Sequence, residues 1–414
     1  MIFKSNNVYI TTYNLCLFFT LSLLLATKNF SVIAVVLLLL TSIVYLIHKR
    51  KDHIFEPFDW LVIFILSAYF VSNIPSFFMD NYNTRYFKGS IRYLCFIPIY
   101  FFIKEILSTN NQSKEYIELG SIVGSIGTVA IALYQFYILG IPRVGGFLYS
   151  INFAYLSCSL SFLALTLSRN SKYRLMLLLA FFLAGYATLL TQTRGAIFAI
   201  PILLLFTLFF YKKEKRSSRI LTCFIALFLF SSVSYIYSEN VQERVQFTLN
   251  EFTEIAHENT LDTVSSDAIS SGTRLQLWYS AIQSFKESPI IGQTFSQREE
   301  MIHTLYKTGK IGVWATGITR GHAHNQYFEM LAGSGILGII AAIAILIIPL
   351  VFFAKYIYKS QYALSGFILV LGFSIFGLTE VPLEQNLISS YYGLMLITFI
   401  CLVKHDLKSA GENR

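Results

Sequence analysis

Apolar stretches of about the length needed to cross a bilayer recur through nearly the whole chain, separated by short polar breaks. Their approximate cores are 12–27, 29–47, 59–78, 91–107, 117–140, 148–168, 174–192, 195–211, 220–237, 327–354, 361–379 and 386–403. The pattern predicts an all-α polytopic membrane protein with about twelve transmembrane helices. Phe and Tyr stand at many run ends, as expected of interfacial belts. No small-residue cleavage site follows the first run, which reads as a retained helix rather than a signal peptide.

Residues 238–325 form the one sizeable polar region, too long for a structureless loop in a compact protein. Helix-like apolar spacing at Val241–Ile255 and Leu275–Ser288 predicts a mostly helical cap. The chain therefore divides into 1–237 with nine helices, the loop 238–325, and 326–414 with three helices and a tail. Basic residues alternate from one connection to the next. One set holds Lys49, Arg50 and Lys51, Lys104 and Lys114, Arg169, Lys172 and Arg174, the cluster Lys212 to Arg219, Lys355 and Lys359, and Lys404 and Lys408. The opposite set holds only Lys28, Arg85, Lys88, Arg92, Arg143 and Arg194. The positive-inside rule makes the first set and both termini cytoplasmic, and puts 238–325 on the outer side.

Composition agrees with this class. Hydrophobic residues make up 55% of the chain and charged residues 13%, against about 25% charged in soluble domains; the mean hydropathy is +0.59. The net charge of +9 is mostly topology charge and does not signal nucleic acid. Cys16, Cys95, Cys158, Cys223 and Cys401 all lie in apolar runs without metal-ligand spacing and read as small buried hydrophobes.

The richest stretch is 322–338, HAHNQYFEMLAGSGILG. It begins as a polar cluster and runs into an apolar segment. On one continuous helix Gly335 would lie about three turns beyond His324 on nearly the same face, with Gly338 close to that face. The imidazole would then head a smooth small-residue stripe, either a helix–helix seam or a lipid-facing groove. Imidazole as a residue type exchanges protons near neutral pH. Three arginines on the sparse side also need reasons. Arg92 opens a span and reads either as a snorkelling anchor or as an anion ligand. Arg194 follows Thr191, Gln192 and Thr193 in an unusually polar break, which favours function. Arg274 lies in SSGTRLQLW and by itself reads as a solvated loop charge. Converging guanidinium groups suit a diphosphate, because the planar fork gives bidentate contacts. His322 and His324 form an H-x-H pair, but no His or Cys cluster supports it, and Glu299 and Glu300 are unsupported partners, so no metal site is expected. His322 reads better as a histidine hydrogen-bonded at a helix start.

Taken together, these residues resemble the O-antigen ligases of Gram-negative bacteria. Their motif, H-[NSQ]-x9-G-x-x-G at the end of the large periplasmic loop, is matched by His324, Asn325, Gly335 and Gly338. Their T-Q-T-R turn is matched by Thr191, Gln192, Thr193 and Arg194, and their G-x-R-L segment by Gly272, Arg274 and Leu275. His322 also stands where the family has a second histidine. The resemblance implies a twelve-span inner-membrane enzyme. It would transfer polysaccharide from undecaprenyl diphosphate to a sugar hydroxyl of lipid A–core on the periplasmic side, without a cofactor. By the same resemblance His324 is the catalytic residue, as base or as a diphosphate-binding imidazolium. Arg194, Arg274 and Arg92 bind the donor diphosphate, with Arg85 an alternative to Arg92. His322, Asn325, Gln192, Gly335 and Gly338 support the site. O-antigen polymerases and protein O-oligosaccharyltransferases share the superfamily, so the fold does not choose the acceptor. A lipid-linked oligosaccharide flippase is less well supported, because a transporter would show internal repeats and charged or broken helices at the midplane.

Overall fold

Inside a bilayer each backbone N–H and C=O has to find its partner within the protein, and a helix does this locally. A computed structural model of the chain describes residues 2–48, 55–107, 113–211 and 269–411, together with positions 242 and 246. All regular structure among the described residues is helical. The helices run α1 (Ile2–Ser22), α2 (Phe30–His48), α3 (Pro57–Ser72), α4 (Ile74–Met79), α5 (Ser90–Ile106), α6 (Ser113–Leu133), α7 (Ser150–Leu167), α8 (Arg174–Leu190) and α9 (Arg194–Tyr211). They continue with α10 (Ile269–Glu287), α11 (Phe295–Lys307), α12 (Gln326–Ala342), α13 (Ile348–Tyr356), α14 (Ala363–Phe376) and α15 (Asn386–Ser409).

A helix occupies every expected core except 220–237, which lies outside the described residues, as does the Val241–Ile255 stretch. Among the described residues six helical segments are long and apolar enough to cross a membrane: Phe30–His48, Pro57–Met79, Ser113–Ile138, Ser150–Asn170, Gln326–Tyr356 and Asn386–Ser409. Val8–Ser22, Arg174–Leu190, Arg194–Phe210 and Ala363–Phe376 are apolar but shorter. The protein is thus a polytopic helical membrane protein.

Two ends of the bundle differ in chemistry. At one end Lys104 Nζ meets buried Asp59 at 2.7 Å, Lys408 Nζ meets Glu56 Oε1 at 2.9 Å and Lys172 Nζ meets Glu115 at 2.9 Å. These lysines come from three of the basic-rich connections, each paired with a carboxylate. At the other end lie the 191–194 turn, the 322–325 cluster and the 377–385 connection, joined by the contacts described below. The apolar interior runs between these ends. α15 lies deep within it, with Tyr391, Tyr392 and Met395 fully buried. Pro349 has no N–H for the carbonyl of Ile345, and Tyr392 Oη supplies the missing donor at 2.7 Å.

The described part of the polar segment is a helical pair, α10 and α11, with its own small core of Leu277, Met301, Ile302, Leu305, Ile311 and Ala315. α10 covers nearly all of the Leu275–Ser288 stretch. Thr294 and Gln297 close a reciprocal capping box at the start of α11.

Candidate active site

The polar cluster does not sit on the helix it precedes. His324 adopts a left-handed backbone, φ 47°, and α12 begins only at Gln326. Asn325 is its N-cap: the side-chain oxygen accepts from the amides of Tyr327 at 2.9 Å and Phe328 at 3.2 Å. The Asn325 Nδ2 donates to the carbonyl of Leu378 at 2.9 Å, and the amide of Gln326 donates to that of Gly377 at 2.7 Å. One side chain thus starts the helix and fastens it to the connection between α14 and α15.

That connection organises the site. Thr379 Oγ1 lies 2.8 Å from Tyr155 Oη. A Cβ on Gly195, next to Arg194, would fall 2.3 Å from Thr379 Oγ1 and 3.2 Å from Tyr155 Oη, so only glycine fits beside them. Glu380 lies between the two histidines, with Oε1 3.1 Å from His322 Nε2 and Oε2 3.0 Å from His324 Nδ1. The rings stand edge to face, 4.6 Å apart. The Tyr155 hydroxyl also lies within the electrostatic reach of Glu380 and Arg274. Arg274 is carried by α10. Trp278 on the next turn holds that helix down by donating to the carbonyl of Ala323 at 3.1 Å and stacking on Phe328. Gln192, at φ 53°, closes the turn before Arg194 by donating to the carbonyl of Pro142 at 3.0 Å.

Behind His322 lies a buried charge network. Glu329, 6% exposed, takes both nitrogens of Arg298, Nη1 at 2.6 Å and Nη2 at 2.9 Å. Glu329 also accepts from the amide of Ala323 at 2.7 Å and faces His322 Nδ1 at 3.3 Å. Burial by itself would lower the His322 pKa. The Glu329 and Glu380 carboxylates outweigh it and push the ring up to about 10. Burial would raise the Glu380 carboxyl, but its bonds to His322 and His324 hold it well below the usual carboxylate range. Burial pushes Glu384 up to about 7, and the charge of Glu329 adds to the rise.

The ligand atoms of His322, His324 and Glu380 all lie within 4.8 Å of one another, a set able to hold a metal ion. The carboxylate in that set is Glu380, not Glu299 or Glu300. The geometry suits hydrogen bonding better. Both nitrogens of His322 face carboxylates, which fits an imidazolium with two N–H donors, whereas a metal needs a free lone pair on the ring.

Gly335 and Gly338 do not form the expected continuous stripe. Gly335 sits at φ 59°, ψ −139°, a conformation open only to glycine, and the helix breaks there. The segment 289–293 enters the break. Ile336 donates to the carbonyl of Pro289 at 2.8 Å, Gln293 donates to that of Ala332 at 2.8 Å, and Ser76 Oγ donates to that of Gly333 at 2.8 Å. The freed backbone groups are thereby satisfied. A Cβ on Gly335 would collide with Pro289 O at 2.5 Å, and one on Gly338 with Met330 O at 2.0 Å. Both glycines face polypeptide at a built-in kink, not lipid.

Arg92 also departs from expectation. Its Nε donates to Asn386 Oδ1 at 3.3 Å and its Nη1 to Ser390 Oγ at 3.5 Å, both at the start of α15. Among the described contacts it joins none of the groups around His324. Conversely, the sequence reading missed Glu380, Glu384, Glu329 and Arg298. A signal existed for the first two: LTEVPLEQ sets two acids in a short connection on the sparsely charged side.

Residues 179–343 match the family described as O-Antigen ligase. The match includes Gln192, Arg194, Arg274, His322, His324, Asn325, Gly335 and Gly338, and stops short of Glu380. The chain is 24% identical over 345 residues to an uncharacterized protein of Haemophilus influenzae, covering 81% of this chain and 83% of that one. It is 26% identical over 198 residues to the O-antigen ligase of Escherichia coli K12, covering 47% of this chain and 44% of that one. The chain therefore spans less than half the length of that ligase. Within the matched segment Gly195, next to Arg194, and the head of α12 meet the 377–385 connection, which lies outside it, while α10 is fastened to the head of α12.

Proposed function

We propose that this protein is an O-antigen ligase of the inner membrane, a metal-independent glycosyltransferase with about twelve spans, cytoplasmic termini and a periplasmic active site. Its donor is polysaccharide on undecaprenyl diphosphate, and its acceptor is a sugar hydroxyl of lipid A–core. The observation that carries the reading is the His324–Glu380 pair. With Glu380 accepting from Nδ1–H, the lone pair of His324 lies on Nε2, and Nε2 bonds to no other group among the described residues. That is the form a general base requires.

The acceptor hydroxyl attacks the anomeric carbon and gives its proton to His324 Nε2. A bond forms between that oxygen and the sugar, and the bond from the sugar to the diphosphate breaks. The diphosphate leaves with the electron pair. Arg194 and Arg274 neutralise the charge that builds on it, as preorganised cations do at other leaving groups. Arg92, held by α15, secures the donor only at a distance from the reacting atoms. His322, charged between two carboxylates, fixes Glu380 and so the tautomer of His324.

The test combines a deletion strain with purified variants. Deletion should remove polymer from lipid A–core while lipid-linked polymer persists. Loss of the lipid-linked polymer itself would select the polymerase reading. His324→Ala should abolish transfer at normal protein level while still binding the undecaprenyl-diphosphate donor. Arg194→Ala and Arg274→Ala should bind donor more weakly, with partial rescue by lysine, which keeps the charge but loses the fork. Activity should survive EDTA; loss that returns with a divalent cation would assign the His322–Glu380–His324 set to a metal.

A further inference from the structure

On the far side of His322 from His324 lies an open cleft of about 130 Å³. The mechanism above does not use it. Two of its cations, Arg85 and Lys88, stand on the connection that leads into α5, and a third, Arg320, stands on the polar segment opposite. All three are exposed, and no carboxylate pairs with their side chains among the described residues. Arg320 is held in place nonetheless. Its backbone takes a left-handed φ of 62°, its amide donates to Glu299 Oε1, and its guanidinium lies over the Phe295 ring. Phe295 in turn stacks on Tyr86 at 4.2 Å, a wall joining the two segments that carry the cations. Glu384 lines the cleft and takes the Tyr69 hydroxyl at 3.2 Å.

His322 is the partition. Its Nε2 side faces Glu380 and His324, and its Nδ1 side faces Glu329, which lines the cleft. We infer that this cleft is the acceptor subsite, and that it takes a glycan bearing acidic sugars, with phosphate or carboxylate groups against Arg85, Lys88 and Arg320. This rests on the ligase reading. A base at His324 has to be approached by the acceptor, while Arg194 and Arg274, the donor's diphosphate ligands in that reading, do not line the cleft. Cations from two segments, with no carboxylate partner among the described residues, favour an anion, and fork geometry suits phosphate and carboxylate. Glu384 and Gln385 add hydrogen-bonding groups for sugar hydroxyls.

The test measures binding in nanodiscs without donor, using the full chain. The probes are intact lipid A–core, the same glycolipid after phosphatase treatment, and the same after amidation of its carboxyls. The Arg85→Ala/Lys88→Ala variant should bind intact lipid A–core about tenfold more weakly, the loss expected for removing charge-assisted bonds. Donor binding should be unchanged. The treatment that weakens wild-type binding by a similar factor, and no longer distinguishes wild type from variant, names the anion as phosphate or carboxylate. Equal binding of intact lipid A–core by wild type and variant overturns the inference. So does a variant that loses donor rather than acceptor affinity, which would give the cleft to the diphosphate. A wild type that binds acceptor through these cations yet transfers nothing to it overturns the ligase reading alone.

Discussion

His324 and Glu380 lie 56 positions apart in the chain and 3.0 Å apart in space. The carboxylate decides what the imidazole can do. In the proposed mechanism it accepts from Nδ1–H, orients the ring and leaves Nε2 to take the acceptor's proton. Glu380→Gln keeps the shape and removes the charge, and an amide can present its NH₂ to Nδ1 and select the wrong tautomer. Single-turnover kinetics on this variant should show the chemical step slowed about 10²–10⁴-fold, the usual worth of general-base help. Donor binding should stay near the wild-type value. An unimpaired chemical step would remove Glu380 from the mechanism and leave His324 as a phosphate ligand.

At the scale of the element, α12 is two helices joined at Gly335. The break is held open by backbone bonds from 289–293 and by Ser76, so the kink belongs to the tertiary structure as much as to the glycine. Any side chain at 335 meets a strained φ and the Pro289 carbonyl together. Gly335→Ala should therefore destabilise the protein by more than the ~1–3 kcal/mol of backbone strain alone. The thermal midpoint in detergent should fall, and activity should fall with it, because the same helix carries Asn325 and Glu329. A midpoint equal to wild type would mean that α12 can run straight, and that the glycine serves close helix packing after all.

For the whole molecule, the ion-paired Lys104, Lys172 and Lys408 at one end and the His324 cluster at the other carry a topological prediction. Reporter fusions within 240–320 should read periplasmic and fusions near residues 50 and 214 cytoplasmic; a cytoplasmic reading in 240–320 would put the site on the wrong side for its donor and acceptor. The charge network also links stability to pH. His322 faces Glu329 and Glu380, with Glu384 and Arg298 beyond them, and its folded pKa of about 10 lies above the ordinary 6.5. Its contribution is therefore present in full below about pH 6.5 and is lost as pH rises toward 10. Thermal midpoints of wild type and His322→Gln should differ most near pH 6 and converge as pH approaches 10. A gap that widens with pH would mean that His322 is neutral in the fold.

Several features were legible in the sequence because they are local. Apolar runs of bilayer length dictate helices, since an unpaired backbone group in hydrocarbon is too costly. The alternation of lysines dictates which ends meet. The His-Asn pair and the T-Q-T-R turn marked where polar side chains stand at span ends, because polar residues there need a reason. Other features depended on contacts between distant segments. No periodicity shows that Glu380 takes both histidines, that Arg298 crosses to Glu329, or that Arg92 turns to Asn386 instead of joining His324. The reading of 322–338 as one helix failed for the same reason. Spacing alone assumes unbroken 3.6-residue turns, while the bonds that end the helix at Gly335 come from residues 289–293. The sequence by itself determined a helical membrane protein and the neighbourhood of its polar site. The tertiary structure alone decided which carboxylate sets the histidine's proton, because that choice is made by groups the chain brings together only when it folds.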